Sequence, residues 1–163
     1  MKKTIKERGK LTGEWLFEVR DNEGKLIKAT REKNIIPNVG LNAIAAQFGK
    51  PLITVDIGDN LYVAVGDDTT TPAAGDTALG NETARKASSD RNDDGGNVAA
   101  ITVFFNTGEA TGTHREFGLF GDGDTTSATV AADSGILYSH VSTNVAVTAA
   151  ENLTVTFSLT VST

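Results

Sequence analysis

The chain has 163 residues, of which 39% are hydrophobic, and it carries 15 Lys/Arg against 21 Asp/Glu for a net charge of −6. This length suits a domain with a core of its own. The lack of cysteine excludes disulfides and thiolate metal sites, and no apolar run approaches the roughly 20 residues of a membrane span, so a soluble protein is expected.

The N-terminal region is basic, whereas the body is acidic. Residues 1–36 hold ten Lys/Arg and six Asp/Glu, and residues 37–163 hold five and fifteen. An acidic body disfavours nucleic-acid phosphates, and the first ten residues lack the apolar run of a signal peptide, so neither nucleic acid nor membrane is an expected partner. Residues 1–10 are either a solvated end or a docking arm for an acidic protein surface. The cations of this arm are Lys2, Lys3, Lys6, Arg8 and Lys10.

A β-hairpin is predicted next. Residues 11–20 alternate imperfectly, with Trp15 and Phe17 on the apolar face, which indicates a half-buried strand. Residues 21–24 form a turn in which Gly24 can supply a positive φ, and residues 25–36 return as the second strand.

One helix is predicted, beginning at Asn38. The apolar residues recur at i, i+3, i+4 and i+7, and this stripe consists of Leu41, Ile44, Ala45 and Phe48. Gly49 and Pro51 end the helix. Since the helix is short, we expect it to be held by packing against a sheet.

The remainder is rich in Thr, Gly, Ala and Val, which favours strands and turns. Further strands are predicted at residues 61–65, 83–89, 97–106, 113–120, 136–147 and 152–162, with a polar turn at residues 90–96. Strand 97–106 is apolar on both faces, which predicts a central position or packing on both sides. Strand 152–162 alternates strictly, and one of its faces consists of hydroxyl side chains.

These elements predict a mainly β protein. About eight short strands and one helix favour a β-sandwich or jelly-roll-like domain with an N-terminal β-hairpin. The predicted organisation is a basic arm at residues 1–10, the hairpin with its helix at residues 11–50, and the β-sandwich domain at residues 51–163.

Two stretches carry a recognisable pattern. A strand ends in Val65-Gly66, and after a loop the sequence reads D-x-x-L-x-x-E-x-x-R; later it reads E-x-G-L-F. The residues of this signature are Gly66, Asp76, Leu79, Glu82, Arg85, Glu116, Gly118, Leu119 and Phe120. Together with the Asn-x-x-x-Asn-x-Gly-Leu segment at residues 34–41, it resembles small bacteriophage virion structural proteins of the tail, baseplate and fibre. Related β-rich folds decorate capsids.

Glu116 lies between apolar neighbours, and a buried carboxylate needs hydrogen bonds or a cation. We therefore predict a structural Glu116–Arg85 or Glu82–Arg85 pair that fixes the loop after Gly66 to the sheet. Gly118 is expected at a bulge or a close approach of backbones. No nucleophile, base and stabiliser occur together, so a non-enzymatic protein without a catalytic residue or a cofactor is expected.

The remaining polar motifs have ordinary structural interpretations. Asp90, Asn92 and Asp94 match the opening of a calcium loop, but Ile101 occupies the position of the essential glutamate, so a polar turn explains the motif as well. His114 and His140 are expected to be surface or structural residues, with His114 and Glu116 on one face at best. Trp15, Tyr62 and Tyr138 are scattered, as core or interface anchors are, although they are also the aromatic residues that a sugar-binding face would use.

The resemblance implies a virion protein, assembled in the host bacterial cytoplasm, that forms a homo-oligomer, most plausibly a trimer, and joins other phage structural proteins in the tail, baseplate or a fibre. One alternative is a capsid decoration protein bound to the major capsid protein. Another is an adhesin that binds host glycans. Sheet edges and hydroxyl faces would be covered by assembly.

Overall fold

The computed structural model describes residues 9–49, 60–93, 95–123 and 126–162. It contains one helix in this part of the chain, α1 at Asn38–Gly49. Nine strands surround it in sequence: β1 Lys10–Asp21, β2 Leu26–Lys33, β3 Leu61–Gly66, β4 Glu82–Ala87, β5 Asp90–Asp93, β6 Val98–Phe105, β7 Gly112–Gly121, β8 Ile136–Val147 and β9 Glu151–Ser162. No helix in the described ranges has both the length and the apolar character that crossing a membrane requires.

The strands form two antiparallel sheets, which confirms the predicted mainly β sandwich with an N-terminal hairpin and a short helix. The five-stranded sheet has the order β2-β1-β9-β6-β5, and the four-stranded sheet has the order β4-β3-β7-β8. β1 pairs with β9 along its whole length, from Lys10 opposite Ser162 to Asp21 opposite Glu151. The hairpin and the C-terminal strand therefore share one sheet.

The main core lies between the two sheets and is centred on aromatic rings. The rings of Trp15 and Phe17 are stacked with centroids 5.9 Å apart, and Phe17 lies 4.5 Å from Phe117 of the opposite sheet. Buried residues of β3, β6, β8 and β9 complete this core. The indole of Trp15 is fully buried and donates to Ser139 Oγ at 2.8 Å, so its one polar atom has a partner.

The two sheets are joined at both sides. On one side Ile35, just after β2, forms an isolated antiparallel bridge with His140 of β8. On the other side the chain passes from β4 to β5, where the amide of Ser88 donates to Leu61 in one sheet and that of Ser89 to Thr102 in the other.

Only Ile44 of the predicted stripe is in the packing face of the helix, which is centred on Gly40. Leu41 is 39% exposed and Ala45 is exposed, whereas Gly40 is buried against β8, with Ala43 and Ile44 half-buried beside it. A Cβ on Gly40 would lie 2.9 Å from both Leu137 O and Tyr138 Cα. The apolar spacing did not identify the closest contact between the helix and β8, because a glycine makes that contact. The side chain of Phe48 lies outside the described residues.

The polar turn predicted at residues 90–96 is shorter than expected. Asp90–Asp93 form strand β5, which pairs with β6, and the chain reverses through Gly95, Gly96 and Asn97, all with positive φ. β6 is flanked by β9 and β5, as predicted, but only one of its faces is in the core. Phe104 is 38% exposed, so packing on both sides was wrong.

The outer face of the four-stranded sheet carries a second, smaller core. It consists of Ala64, Leu79, Phe120 and Leu137, with Val39 of the helix packed against them. A shift in the β7–β8 register between Leu119 and Phe120 allows Leu137 and His140, three residues apart, to lie on this same face. Strict alternation along β8 would have placed them on opposite faces.

The helix contact gives a testable prediction. Gly40→Ala should lower the free energy of unfolding by roughly 1–3 kcal/mol, because the new methyl group meets the main chain of β8, which has little freedom to move. Leu41→Ala should change it by only about 0.5 kcal/mol, as expected for an exposed side chain. Urea unfolding followed by circular dichroism measures both, and a larger loss for Leu41→Ala would contradict the observed helix face.

Candidate functional site

The loop at residues 67–81 covers the outer face of the four-stranded sheet, and Glu116 of β7 fixes it there. Glu116 is 1% exposed. Its two carboxylate oxygens accept hydrogen bonds from the main-chain amides of Gly80 at 2.9 Å and Asn81 at 2.8 Å. The main-chain amides of a loop have no regular hydrogen-bond acceptors. A buried carboxylate that accepts hydrogen bonds from two of these amides satisfies them, and the same two bonds stabilise its own charge.

His140 of β8 continues this contact. Its Nε2 lies 3.2 Å from Glu116 Oε2, and its Nδ1 lies 2.8 Å from Asp76 Oδ2 in the covering loop. Asp76 Oδ2 also accepts the amide of Ala73 at 2.7 Å. The side chain of His140 is 4% exposed and that of Asp76 is 27% exposed. The result is a continuous Asp76–His140–Glu116 chain that joins the loop to two strands.

Glycines make room for this arrangement. A Cβ on Gly66 would lie 2.4 Å from Glu116 Oε1 and 2.6 Å from the carbonyl oxygen of Asn81, so only glycine allows the loop to approach β3. At Gly118 a Cβ would lie 2.9 Å from the side chain of Leu79, which covers that position. The close approach predicted at Gly118 therefore exists, but a side chain of the loop makes it rather than a backbone.

Arg85 of β4 fixes a second covering segment. Its guanidinium pairs with Glu82 through Nε and Nη2, and both side chains are only 2% exposed. Nη1 donates to the carbonyl oxygens of Thr129 and Ser134, and the guanidinium lies 4.5 Å from the ring centroid of Phe120. This cation therefore holds the turn before β8 on the sheet.

The structure separates the two predicted pairings. The Glu82–Arg85 pair is confirmed, but it holds the turn before β8 and not the loop after Gly66 as predicted. The Glu116–Arg85 pair is wrong, because Glu116 is satisfied by the loop amides and His140 instead. The signature residues lie along this one side of the molecule, although Leu119 points into the main core. The role of His140 in holding the loop was not predicted. His140 is far from the motifs in sequence, and the irregularity in β8 has no local sequence signal.

A further buried carboxylate was also missed. Asp122 is fully buried, and its carboxylate accepts the amide of Ala128 at 2.6 Å and the side-chain amide of Asn60 at 2.7 Å. Its main-chain oxygen accepts the hydroxyl of Tyr138 at 2.6 Å. Burial, and secondarily the charge of Asp122, raises the pKa of Tyr138. These bonds order the loop that follows β7.

The remaining candidate residues have structural surroundings. His114 is buried; its Nε2 lies 2.9 Å from Ala110 O, and its ring contacts Phe117 edge-on. Trp15 and Tyr138 are buried in the main core, which leaves Tyr62, half-buried, as the accessible ring of the three proposed for sugars. A flat aromatic platform built from all three is therefore wrong.

The segment that matches the opening of a calcium loop forms strand β5 at Asp90–Asp93. Asp90 Oδ2 accepts the side-chain amide of Asn92 at 2.9 Å, and Asp94 lies outside the described residues. Within the described ranges no group of three or more His, Asp or Glu side chains is arranged to hold a metal ion. Of the basic arm, Lys2, Lys3, Lys6 and Arg8 lie outside these ranges, and Lys10 is exposed at the start of β1.

The geometry at Asp76, His140 and Glu116 is suited to holding a loop. Both ring nitrogens of His140 already face carboxylates, so neither is placed to take a proton from a hydroxyl nucleophile. Beside them lies an open hollow of about 430 Å³, lined by Asp68 and Thr70 among others. Hydrogen bonds from the amides of Thr70 and Thr69 lower the pKa of the Asp68 carboxyl.

Arg85→Ala tests the buried ion pair. We expect the free energy of unfolding to fall by about 3 kcal/mol, because Glu82 would be left buried without its cation. Lys86→Ala is the matched control, since the neighbouring Lys86–Glu109 pair is solvent-accessible and should contribute much less to the free energy of unfolding. Denaturant unfolding of both variants measures the difference, and equal losses would refute a special part for Arg85.

Gly66→Ala tests the contact between the loop and Glu116. The added methyl group would collide with Glu116 and with the main chain of Asn81, so we expect a loss of about 2 kcal/mol and faster amide exchange at Gly80 and Asn81. Gly75→Ala, in the same loop, has open space at its Cβ and should be nearly neutral. Unchanged exchange in Gly66→Ala would show that the loop does not depend on this approach.

Comparison with known proteins gives no relative from which a function can be taken. The chain matches no protein-family model, no curated protein and no solved structure. What the protein does is therefore inferred from its own residues and from the motif resemblance.

Proposed function

We propose that this chain is a non-enzymatic structural protein of a bacteriophage particle. In this role it assembles as a homo-oligomer, a trimer by preference, in a tail, baseplate or fibre. The observation that carries the proposal is the uncharged, hydroxyl-rich centre of the outer face of the five-stranded sheet. The resemblance of the Gly66 to Arg85 and Glu116 to Phe120 motifs to virion proteins supports the same assignment.

This outer face can be followed in rows across the sheet. One row runs from Leu16 through Thr156 to Thr102, and the hydroxyls of the two threonines lie 3.2 Å apart. The next rows pair Ser158 with Ala100 and Thr154 with Phe104. Small hydroxyl side chains lose little conformational entropy on burial, and an exposed Phe104 offers an apolar anchor. Such a surface is suited to a partner.

Charged groups surround this uncharged centre. On the β1–β2 side lie the Glu14–Arg31 and Glu18–Arg20 ion pairs, and Asp90 of β5 lies on the other side, opposite Thr102. An uncharged centre with a charged rim has the composition of protein–protein interfaces. Among the described elements, α1 packs on β8, a strand of the other sheet.

Buried polar groups support a structural role. Glu116, Asp122 and Glu82 are each held by main-chain amides, and the two acidic loops they fix are parts of the scaffold. The buried carboxylates of this molecule therefore serve to hold loops on a sheet. A rigid scaffold with one uncovered face is what assembly on a particle requires.

The proposal is tested by solution mass and by a charge placed on the face. Light scattering of the wild type should give three times the 17.1 kDa chain. Thr156→Lys should weaken assembly about a hundredfold or more, because an ammonium would be buried without a partner, yet leave the monomer folded. Val130→Lys, at a position 79% exposed on the other side, is the matched control and should assemble normally.

A monomer at micromolar concentration, or a Thr156→Lys protein that assembles as well as the wild type, would contradict assembly through this face. The position on the particle needs a separate measurement, antibody labelling of intact virions seen by electron microscopy. Label on the tail would support the proposed role, and label on the head shell would instead favour the decoration of capsids.

A further inference from the structure

The Asp76–His140–Glu116 chain contains more contacts than a neutral histidine can satisfy. Two ring nitrogens each face a carboxylate oxygen, at 2.8 Å and 3.2 Å. A nitrogen and an oxygen at such distances need a hydrogen between them, because two lone pairs would repel. A neutral imidazole has one N–H. The three side chains must therefore share two protons, one more than a neutral histidine between two carboxylates provides.

This second proton is held where the loop meets the sheet. Glu116, at one end of the Asp76–His140–Glu116 chain, also accepts hydrogen bonds from the amides of Gly80 and Asn81. Asp76, at the other end, belongs to the loop itself. The proton can exchange with solvent through Asp76, which is partly exposed beside the open hollow. Protonation and the position of the loop are thus physically connected.

Other charged groups of the described residues lie on the elements around His140. In the loop, Asp68 lines the same hollow, and α1, which packs on β8, contains no titratable residue. Lys10, Glu14, Glu18 and Arg20 of β1 lie on the outer face of the other sheet, opposite to Trp15. Toward the far end of β8 lie Lys28, Glu32, Arg115 and Glu151. On the same outer face as His140 lie Asp67, which accepts the side-chain amide of Asn81, and the Glu82–Arg85 pair of β4.

We propose that the Asp76–His140–Glu116 chain is a proton-dependent latch that holds the loop at residues 67–81 on the sheet. With two shared protons the latch is closed. Loss of one proton leaves a ring nitrogen facing a carboxylate oxygen in a buried site, and the loop opens so that water can solvate both. The latch does not depend on the proposed assembly role, since its parts lie on the opposite sheet from the hydroxyl face.

The direction of the pH effect follows from the number of protons. The closed loop holds one more proton than the open loop, so opening releases a proton and becomes more favourable as pH rises. For one proton the opening constant increases by up to tenfold per pH unit.

Amide hydrogen exchange of the whole chain between pH 6.5 and 9.5 tests the latch. After division by the exchange rate of an unstructured chain at each pH, the protection of the Gly80 and Asn81 amides should fall by at least tenfold over this range. Protection in the main-core strands β3 and β9 should stay constant, because local opening leaves the remainder folded. Constant protection at Gly80 and Asn81 would overturn the proposal.

Two histidine variants separate the latch from a general effect of pH. His140→Gln cannot hold the second proton, so the protection of Gly80 and Asn81 should be low and independent of pH. His114→Gln changes the other histidine, which is also buried, and should keep the wild-type dependence. Persistence of the dependence in His140→Gln, or its loss in His114→Gln, would contradict the assignment.

A measurement on the wild type covers the case in which His140→Gln does not fold. NMR of the ring nitrogens of His140 and the carboxyl carbons of Glu116 and Asp76 counts the protons at pH 7 directly. Either two protonated ring nitrogens, or one together with a protonated carboxyl group, would support the latch. One ring proton with both carboxylates ionised, in a protein whose loop is still protected, would refute it.

Discussion

A single buried carboxylate determines how one side of this molecule is built. The outer face of the four-stranded sheet carries Ala64, Phe120 and Leu137, which must be shielded from water. The chain shields them with a loop that has no ladder of its own, so the main-chain amides at its end require acceptors. Glu116 provides both of its oxygens to them. The glycine at residue 66, the position of Leu79 and the placing of His140 all follow from this contact.

The sequence predicted the architecture well where patterns are regular. Strict alternation in β9 and the Gly24 turn between β1 and β2 identified strands that the structure contains. The motifs also indicated that Glu116 is buried and that Arg85 has an acidic partner, because a buried charged group needs hydrogen bonds or an opposite charge. The helix face was mispredicted, since a spacing rule counts apolar side chains and Gly40 has none. Such a rule cannot predict a close contact between two main chains.

The loop site was only half predictable for a different reason. Asp76, Glu82 and Glu116 stand in recognisable motifs, but His140 is brought to Glu116 by the pairing of β8 with β7, in which His140 lies opposite Gly118. Which residue of a distant strand lies opposite which has no local sequence signal, because it depends on the register of pairing. Asp122 was similarly hidden, because its partners Ala128 and Asn60 are distant in sequence or lie in loops. Long-range polar contacts are set by the folded topology.

The pairing of Lys10 with Ser162 places the first residue of β1 beside the last residue of β9, at one end of the sheet. The hydrogen bonds of an antiparallel ladder run perpendicular to the strands. A pulling force applied between these two ends would therefore load the rungs one after another, as a zipper is opened, and would separate the strands at low tension. A force that enters through the N-terminal strand and leaves through the hydroxyl face would instead be spread over the whole sheet. Mechanical strength in this protein thus depends on the direction of the load.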